Sequence, residues 1–321
     1  MTRGRLISVA TILTMTAGIL ADGNGNLAAQ TQAQPVVPSF RASVDMVRIA
    51  AIVRDRKGRF VSDLTSRDFE VLEGGQTRAI KDFRHDLTGV SVAVLFDVSG
   101  SMEGHLKYAR EAAIHLLSWL DGSKDEAAIF TFDTHLDEVA PFTVGLKTLP
   151  ASMSTQVPFG ATSLHDAIAL TAKRVGEREG RRRAVVVLTD GADNASFLKP
   201  AEVSAVASGI DVPVYIFGIV PSIDNPSEDT AVSSVERSAL AGPLSDLAMW
   251  TGGHVFVASA PAQRSMAARQ IVDELRHQYL IAFESSGQPG WHPLVVRARN
   301  KDLTVRARSG YIAGQSSPTL H

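Results

Sequence analysis

The sequence of 321 residues contains no cysteine, which excludes disulfide frameworks, thiol nucleophiles, thiolate zinc centres and lipid anchors acylated on cysteine. It also lacks a surplus of positive charge: 32 Lys and Arg stand against 34 Asp and Glu, giving a net charge of −2 and a pI near 6.5. With no basic excess to neutralise phosphates, nucleic acid is not an expected partner. There is no Walker loop, no Gly-x-Ser-x-Gly elbow, and no Gly-x-Gly-x-x-Gly following a strand, so NTPase, hydrolase and dinucleotide-binding readings lack their parts. What is present is a globular composition, 45% hydrophobic and 21% charged. That length and composition allow one or two domains with a real core.

Arg3 and Arg5 precede an apolar run at residues 6–20, followed by Asn24-Gly25-Asn26-Leu27-Ala28-Ala29-Gln30. This is the three-part layout of a secretory signal, with cleavage expected after Ala29. As a helix the run would reach only about 22 Å, short of a hydrocarbon core of roughly 30 Å, so a permanent membrane span is the weaker reading. Residues 1–29 are therefore expected to be a signal peptide and residues 30–42, polar and proline-bearing, a linker. The protein is expected to be secreted, periplasmic or in the cell envelope, meeting a membrane only during export.

Residues 43–88 carry strand-like alternation and a hairpin, residues 69–72 returning through Thr77 to Phe83 across Glu73-Gly74-Gly75-Gln76. The composition then changes. Val92-Ala93-Val94-Leu95-Phe96 is a continuous apolar run stopping at Asp97, as in a strand buried on both faces of a parallel sheet. Residues 107–120 place Ala109, Ala112, Ala113, Leu116, Leu117 and Leu120 at helical spacing. Strands at residues 127–132, 184–189, 212–220 and 254–258 then alternate with helices at residues 164–175, 202–208 and 244–250. Residues 139–144 read as a short strand antiparallel to its predecessor, and Ser163 with Asp166 reads as a capping box. After a helix at residues 263–277 the alternation is lost, and residues 279–283, 294–298 and 303–308 are strand-like. The expected fold is α/β: a doubly wound, mostly parallel sheet over residues 89–260. It is inserted in a small β-sandwich built from residues 43–88 and 261–321, because neither half could bury its apolar face alone.

In an open α/β sheet, ligands bind beyond the carboxyl ends of the strands, where two apolar strands end beside Asp97 and Asp190. Asp97-Val98-Ser99-Gly100-Ser101 spaces three oxygen-bearing side chains at every second residue, and Gly160-Ala161-Thr162-Ser163 presents Thr162 ahead of a helix. Two carboxylates and three hydroxyls make a hard-oxygen site suited to Mg²⁺, with Ca²⁺ or Mn²⁺ as alternatives. Five side chains leave an octahedral shell incomplete, so a partner's carboxylate could enter. Asp193 and Asn194 read as a solvated turn, with groups that support the ligands from behind as the alternative, Asp133 as structural, and the nine histidines, His165 included, as surface or helix residues without metal-ligand spacing.

These motifs resemble the von Willebrand factor type A family. Residues 92–102 match its first metal loop, Gly160-Ala161-Thr162-Ser163-Leu164 its second and Val187-Leu188-Thr189-Asp190-Gly191 its third, in the family's order. The resemblance implies a metal-ion-dependent adhesion site, with Ser99, Ser101 and Thr162 as ligands and Asp97 and Asp190 acting directly or through water. Outside it, residues 64–71, Tyr279 and Ser309-Gly310-Tyr311 look like secreted bacterial proteins of the acidobacterial type that carry this domain. The expectation is an exported, divalent-metal-dependent protein-binding module, not an enzyme, whose partner offers an Asp or Glu. A scaffold with a stabilising metal is the alternative, and a metal-assisted hydrolase a more distant one. Aspartate-nucleophile phosphatases need a second carboxylate two residues after the first, where this chain has Ser99.

Overall fold

The apolar runs assemble into a central six-stranded sheet. The computed structural model describes residues 46–85, 89–178, 180–209, 211–219, 240 and 242–313; the expected signal peptide and linker lie outside them. β5 (Val90–Asp97), β6 (Glu126–Phe132), β8 (Arg182–Thr189), β9 (Val214–Ile219) and β10 (Val255–Ala258) are parallel, and β7 (Leu136–Val144) closes one edge antiparallel to β6. The order is β10-β9-β8-β5-β6-β7. Every residue of β5 is buried, and its alternate side chains serve two cores. Val92, Val94 and Phe96 pack with α1 (Leu106–Trp119) and α6 (Pro261–Arg276) on one face. Ala93 and Leu95 pack with α3 (Leu164–Gly176), α4 (Pro200–Gly209) and α5 (Pro243–Thr251) on the other. A short α2 (Ser152–Thr155) lies between β7 and α3. The strand period of two thus explains why the run is apolar throughout.

From β5 the chain passes through α1 to β6 on one side and returns through α3 to β8 on the other. The sheet is doubly wound, and its switch point falls between the tips of β5 and β8, where such sheets bind ligands. Among the described residues no helix is long and apolar enough to cross a membrane.

Strands from the two ends of the described chain share two further sheets. One joins β1 (Met46–Arg54) and β4 (Ile80–Arg84) with β11 (Tyr279–Glu284) and β13 (Thr304–Arg306), in the order β13-β1-β11-β4. The other joins β2 (Phe69–Glu73) and β3 (Gln76–Arg78) with β12 (Gly290–Ala298) and β14 (Gly310–Ala313), in the order β14-β12-β2-β3. Ile49, Val53, Phe69, Val71, Ile281, Phe283, Leu294 and Tyr311 form their common core. Tyr279 ties a loop to this core, its hydroxyl donating to the Val61 carbonyl at 2.8 Å and accepting from the Leu64 amide at 3.2 Å.

Three local expectations are corrected. The returning arm expected from Thr77 to Phe83 divides at Ala79, β3 staying with β2 while β4 crosses to β11. Gly310–Ala313 is a strand that the spacing did not announce, paired with the start of β12. The capping box at α3 does not form: Ser163 makes no side-chain cap bond. Instead its amide donates to the Asp133 carbonyl at 2.7 Å.

Candidate functional site

β5 and β8 are paired neighbours, so the residues at their tips meet. Thr189 Oγ1 donates to Asp97 Oδ2 at 2.7 Å. The other carboxylate oxygen, Oδ1, accepts from the Ser99 amide at 3.0 Å and the Ser99 hydroxyl at 2.5 Å. The Ser101 hydroxyl lies 3.1 Å from that of Ser99. Asp97 and Ser99 are fully buried, whereas Ser101 is exposed. Loss of solvation pushes the Asp97 carboxyl up to about 6, against the opposing hydrogen bonds from Ser99 and Thr189, and the nearby charge of Asp190 adds to the rise.

The second loop is stitched to the first. The Phe159 amide donates to the Val98 carbonyl at 2.9 Å and the Gly100 amide to the Gly160 carbonyl at 3.0 Å. A Cβ on Gly100 would lie 3.3 Å from that carbonyl oxygen, and Gly160 holds a φ of +85°, which explains a glycine at both positions. Thr162, also buried, is joined to the third loop by its backbone. Its amide donates to Asn194 Oδ1 at 2.8 Å, and its carbonyl accepts from the Asn194 and Ala195 amides, each at 3.0 Å. Its hydroxyl has no hydrogen bond to a described residue. Asp190 accepts from the Ala192 amide at 3.1 Å through Oδ1. Asp97, Ser99 and Ser101 thus form one hydrogen-bonded set, Asp190 lies within electrostatic reach of it, and Thr162 sits on a loop tied to both neighbours.

Sequence reasoning missed the residues that hold these loops. Thr189 was legible only as a hydroxyl closing an apolar run. Asp193 is more than part of a solvated turn, although Asn194 is exposed: Asp193 Oδ2 lies 2.6 Å from His165 Nδ1 and accepts from the His165 amide at 3.0 Å and the Ser196 hydroxyl at 2.7 Å. Burial opposes the Asp193 charge, yet the bonds from His165 and Ser196 together outweigh it and hold the carboxyl down to about 2. His165, a helix residue as expected, is accordingly part of a brace at the start of α3. Asp166 reaches across as well, its two oxygens accepting from the Phe197 and Leu198 amides, both at 2.9 Å.

The donor set is all oxygen, and among the described residues neither Asp97 nor Asp190 enters an ion pair. An acid pair with adjacent hydroxyls and no counter-charge fits a hard divalent cation. Among the described residues no group of three or more His, Cys, Asp or Glu side chains is placed to hold a metal, so the fit depends on the hydroxyls as much as on the carboxylates.

Residues 92–192 match the von Willebrand factor type A domain. The chain carries a von Willebrand factor type A domain. The matched segment runs from β5 to just past β8 and contains all five candidate oxygen donors. This places the VWA segment among adhesion and protein-interaction modules. An aerotolerance-related membrane protein from Bacteroides fragilis is similar in structure at 20% identity and a TM-score of 0.45, covering 58% of this chain and 98% of its own. A von Willebrand factor type A protein from Catenulispora acidiphila is similar at 13% identity and a TM-score of 0.42, covering 85% and 76%. The PilB minor pilin from Streptococcus sanguinis is similar at 13% identity and a TM-score of 0.43, covering 63% and 64%. No curated protein matches the sequence.

Proposed function

We propose that this chain is an exported protein-binding module whose VWA domain engages its partner through a divalent cation, with Mg²⁺ the ion best suited to the donor set. The observation that carries the reading is the buried Asp97 carboxylate, ringed by the Ser99 and Thr189 hydroxyls, beside Asp190 and without a basic partner. A carboxylate in that setting is costly unless a cation joins it. Asp97, Ser99, Ser101, Thr162 and Asp190 would hold the ion, directly or through water. The ion would supply an electrophilic position for an Asp or Glu of the partner. Ser99, Ser101 and Thr162 are neutral, so they add oxygens without cancelling the cation's attraction for that acid. The segment at residues 6–20 behind Arg3 and Arg5 supports export to the periplasm, envelope or medium.

The test is titration calorimetry with MgCl₂ on the wild type, Asp97→Ala and Ser99→Ala, paired with capture of a partner from envelope extract. Cation binding is expected in the wild type and lost in both variants, and EDTA is expected to abolish capture while the fold persists. Unchanged Mg²⁺ affinity in the variants overturns the site. A large fall in melting temperature on chelation, with capture unaffected, assigns the ion a structural role instead.

A further inference from the structure

The three most exposed large apolar side chains among the described residues are Phe197 at 95%, Phe159 at 78% and Val157 at 73%. All three lie on the loops around the candidate oxygens: Val157 and Phe159 just before Gly160, Phe197 just after Ser196. One exposed apolar residue needs no explanation, but apolar side chains gathered at the rim of a polar site mark a contact surface. Their backbone is fixed. The Phe159 amide is bonded to the loop that leads into α1, and the Phe197 amide to Asp166 in the first turn of α3. The two phenylalanines thus stand on separate loops, Phe159 tied to the loop after β5 and Phe197 to the start of α3.

Beside Phe159 a cleft of about 250 Å³ opens between Gly104, Leu106, Lys107 and Arg110 on one side and Gln156 and Pro158 on the other. Arg110 Nη2 donates to the Gln156 carbonyl at 3.0 Å, while its buried Nε has no partner. Lys107 lines the cleft as well, its ammonium 4.6 Å from the Tyr108 ring centroid. The cleft is therefore complementary to a negative group.

We propose that the partner presents a linear protein segment in which the acidic residue at the ion is flanked by bulky apolar residues. One of these seats against Val157 and Phe159 and the other against Phe197, and a second acidic residue reaches the cleft at Lys107 and Arg110. This rests on the carboxylate-binding function proposed above and adds the chemistry of the segment around that carboxylate. A small carboxylic acid would leave both phenylalanines in water, whereas a flanked segment removes them from it.

The test uses three fluorescein-labelled peptides of equal length, measured by fluorescence anisotropy with the purified protein in MgCl₂. The first has a central Glu flanked by Leu plus a second Glu; the second replaces the Leu residues by Gly; the third replaces the second Glu by Gln. The Leu-flanked peptide is expected to bind about tenfold more tightly than the Gly-flanked one, and Phe159→Ser with Phe197→Ser should erase that preference while circular dichroism stays unchanged. Lys107→Gln should weaken the first peptide and not the third. Equal, EDTA-sensitive binding of the Leu and Gly peptides overturns this inference and leaves the cation reading standing. Leu-dependent binding that persists in EDTA supports the apolar flanks and overturns the cation reading. If the double Phe variant changes the sedimentation coefficient and not the peptide preference, the rim is a self-association surface and the inference fails.

Discussion

Asp97 answers to two opposed demands, since folding buries its carboxylate and the proposed cation would need it ionised. Its pKa stands near 6 in the fold against an ordinary 3.8, so the folded state holds this proton more tightly than the unfolded chain does. The resulting stability is fully present below the unfolded value and is lost as the pH rises through about 6. The upper limit of the effect is about 3 kcal/mol. Metal-free wild type is therefore expected to lose melting temperature relative to Asp97→Asn between pH 5 and pH 7, and Mg²⁺ should restore only the wild type. Parallel melting of the two proteins across that range would contradict the raised value. Thr189 provides a second test at this scale. Thr189→Val keeps the shape but removes the hydroxyl from a buried carboxylate, a loss of about 1.5–3 kcal/mol at neutral pH by urea unfolding. The same substitution should cost less at pH 5, where Asp97 is protonated and the lost bond is no longer charge-assisted.

The secondary-structure elements differ in how much of themselves they reveal locally. β5 and β8 were legible because a strand buried on both faces has to be apolar at every position, and the runs stop where the site begins. The caps were not legible, because their partners come from far along the chain. Ser163 and Asp166 have capping-box spacing, yet Asp166 is taken by amides 31 and 32 residues away, and the start of α3 is served by Asp193 and Ser196. The division of the hairpin at Ala79 was hidden for a related reason: alternation marks a strand but does not say which of two sheets it joins. The brace makes a prediction specific to this level. Asp193→Ala leaves the His165 amide with only the Ser196 hydroxyl as acceptor and frees the His165 ring and Ser196. It should cost about 1–3 kcal/mol and weaken Mg²⁺ binding several-fold through the loop carrying Thr162, although Asp193 is not a candidate ligand. Calorimetry and melting on the same variant check both halves, and undiminished Mg²⁺ affinity would show that the brace does not position the site.

At the scale of the whole described chain, one kind of joint closes the sandwich on itself and another ties it to the helices of the α/β unit. One is strand pairing between distant segments, β1 with β11 and β2 with β12. The composition made this legible, since neither short β segment could cover its own apolar face. The other joint is ionic and left no local pattern. Glu274, with its side chain 3% exposed, accepts from Arg54 of β1 at 3.1 Å and pairs with Arg306 of β13, so α6 is pinned to both strands. This end of α6 lies away from the site: Arg276 reaches Asp125 at 3.2 Å, and Asp125 accepts from the amide of Val90, the first residue of β5. Removing the carboxylate should therefore separate stability from binding. Glu274→Ala removes the carboxylate shared by two partly buried arginines, leaving Arg54 only the Gly58 carbonyl and Arg306 only the Gly253 carbonyl as acceptors, at a cost of about 3 kcal/mol. Proteolysis in the native buffer should then cut first near β13, which pairs with β1 through only three residues. Mg²⁺ affinity below the new melting temperature should match the wild type. A parallel loss of affinity would mean that the sandwich acts on the strand tips from the opposite end of the sheet.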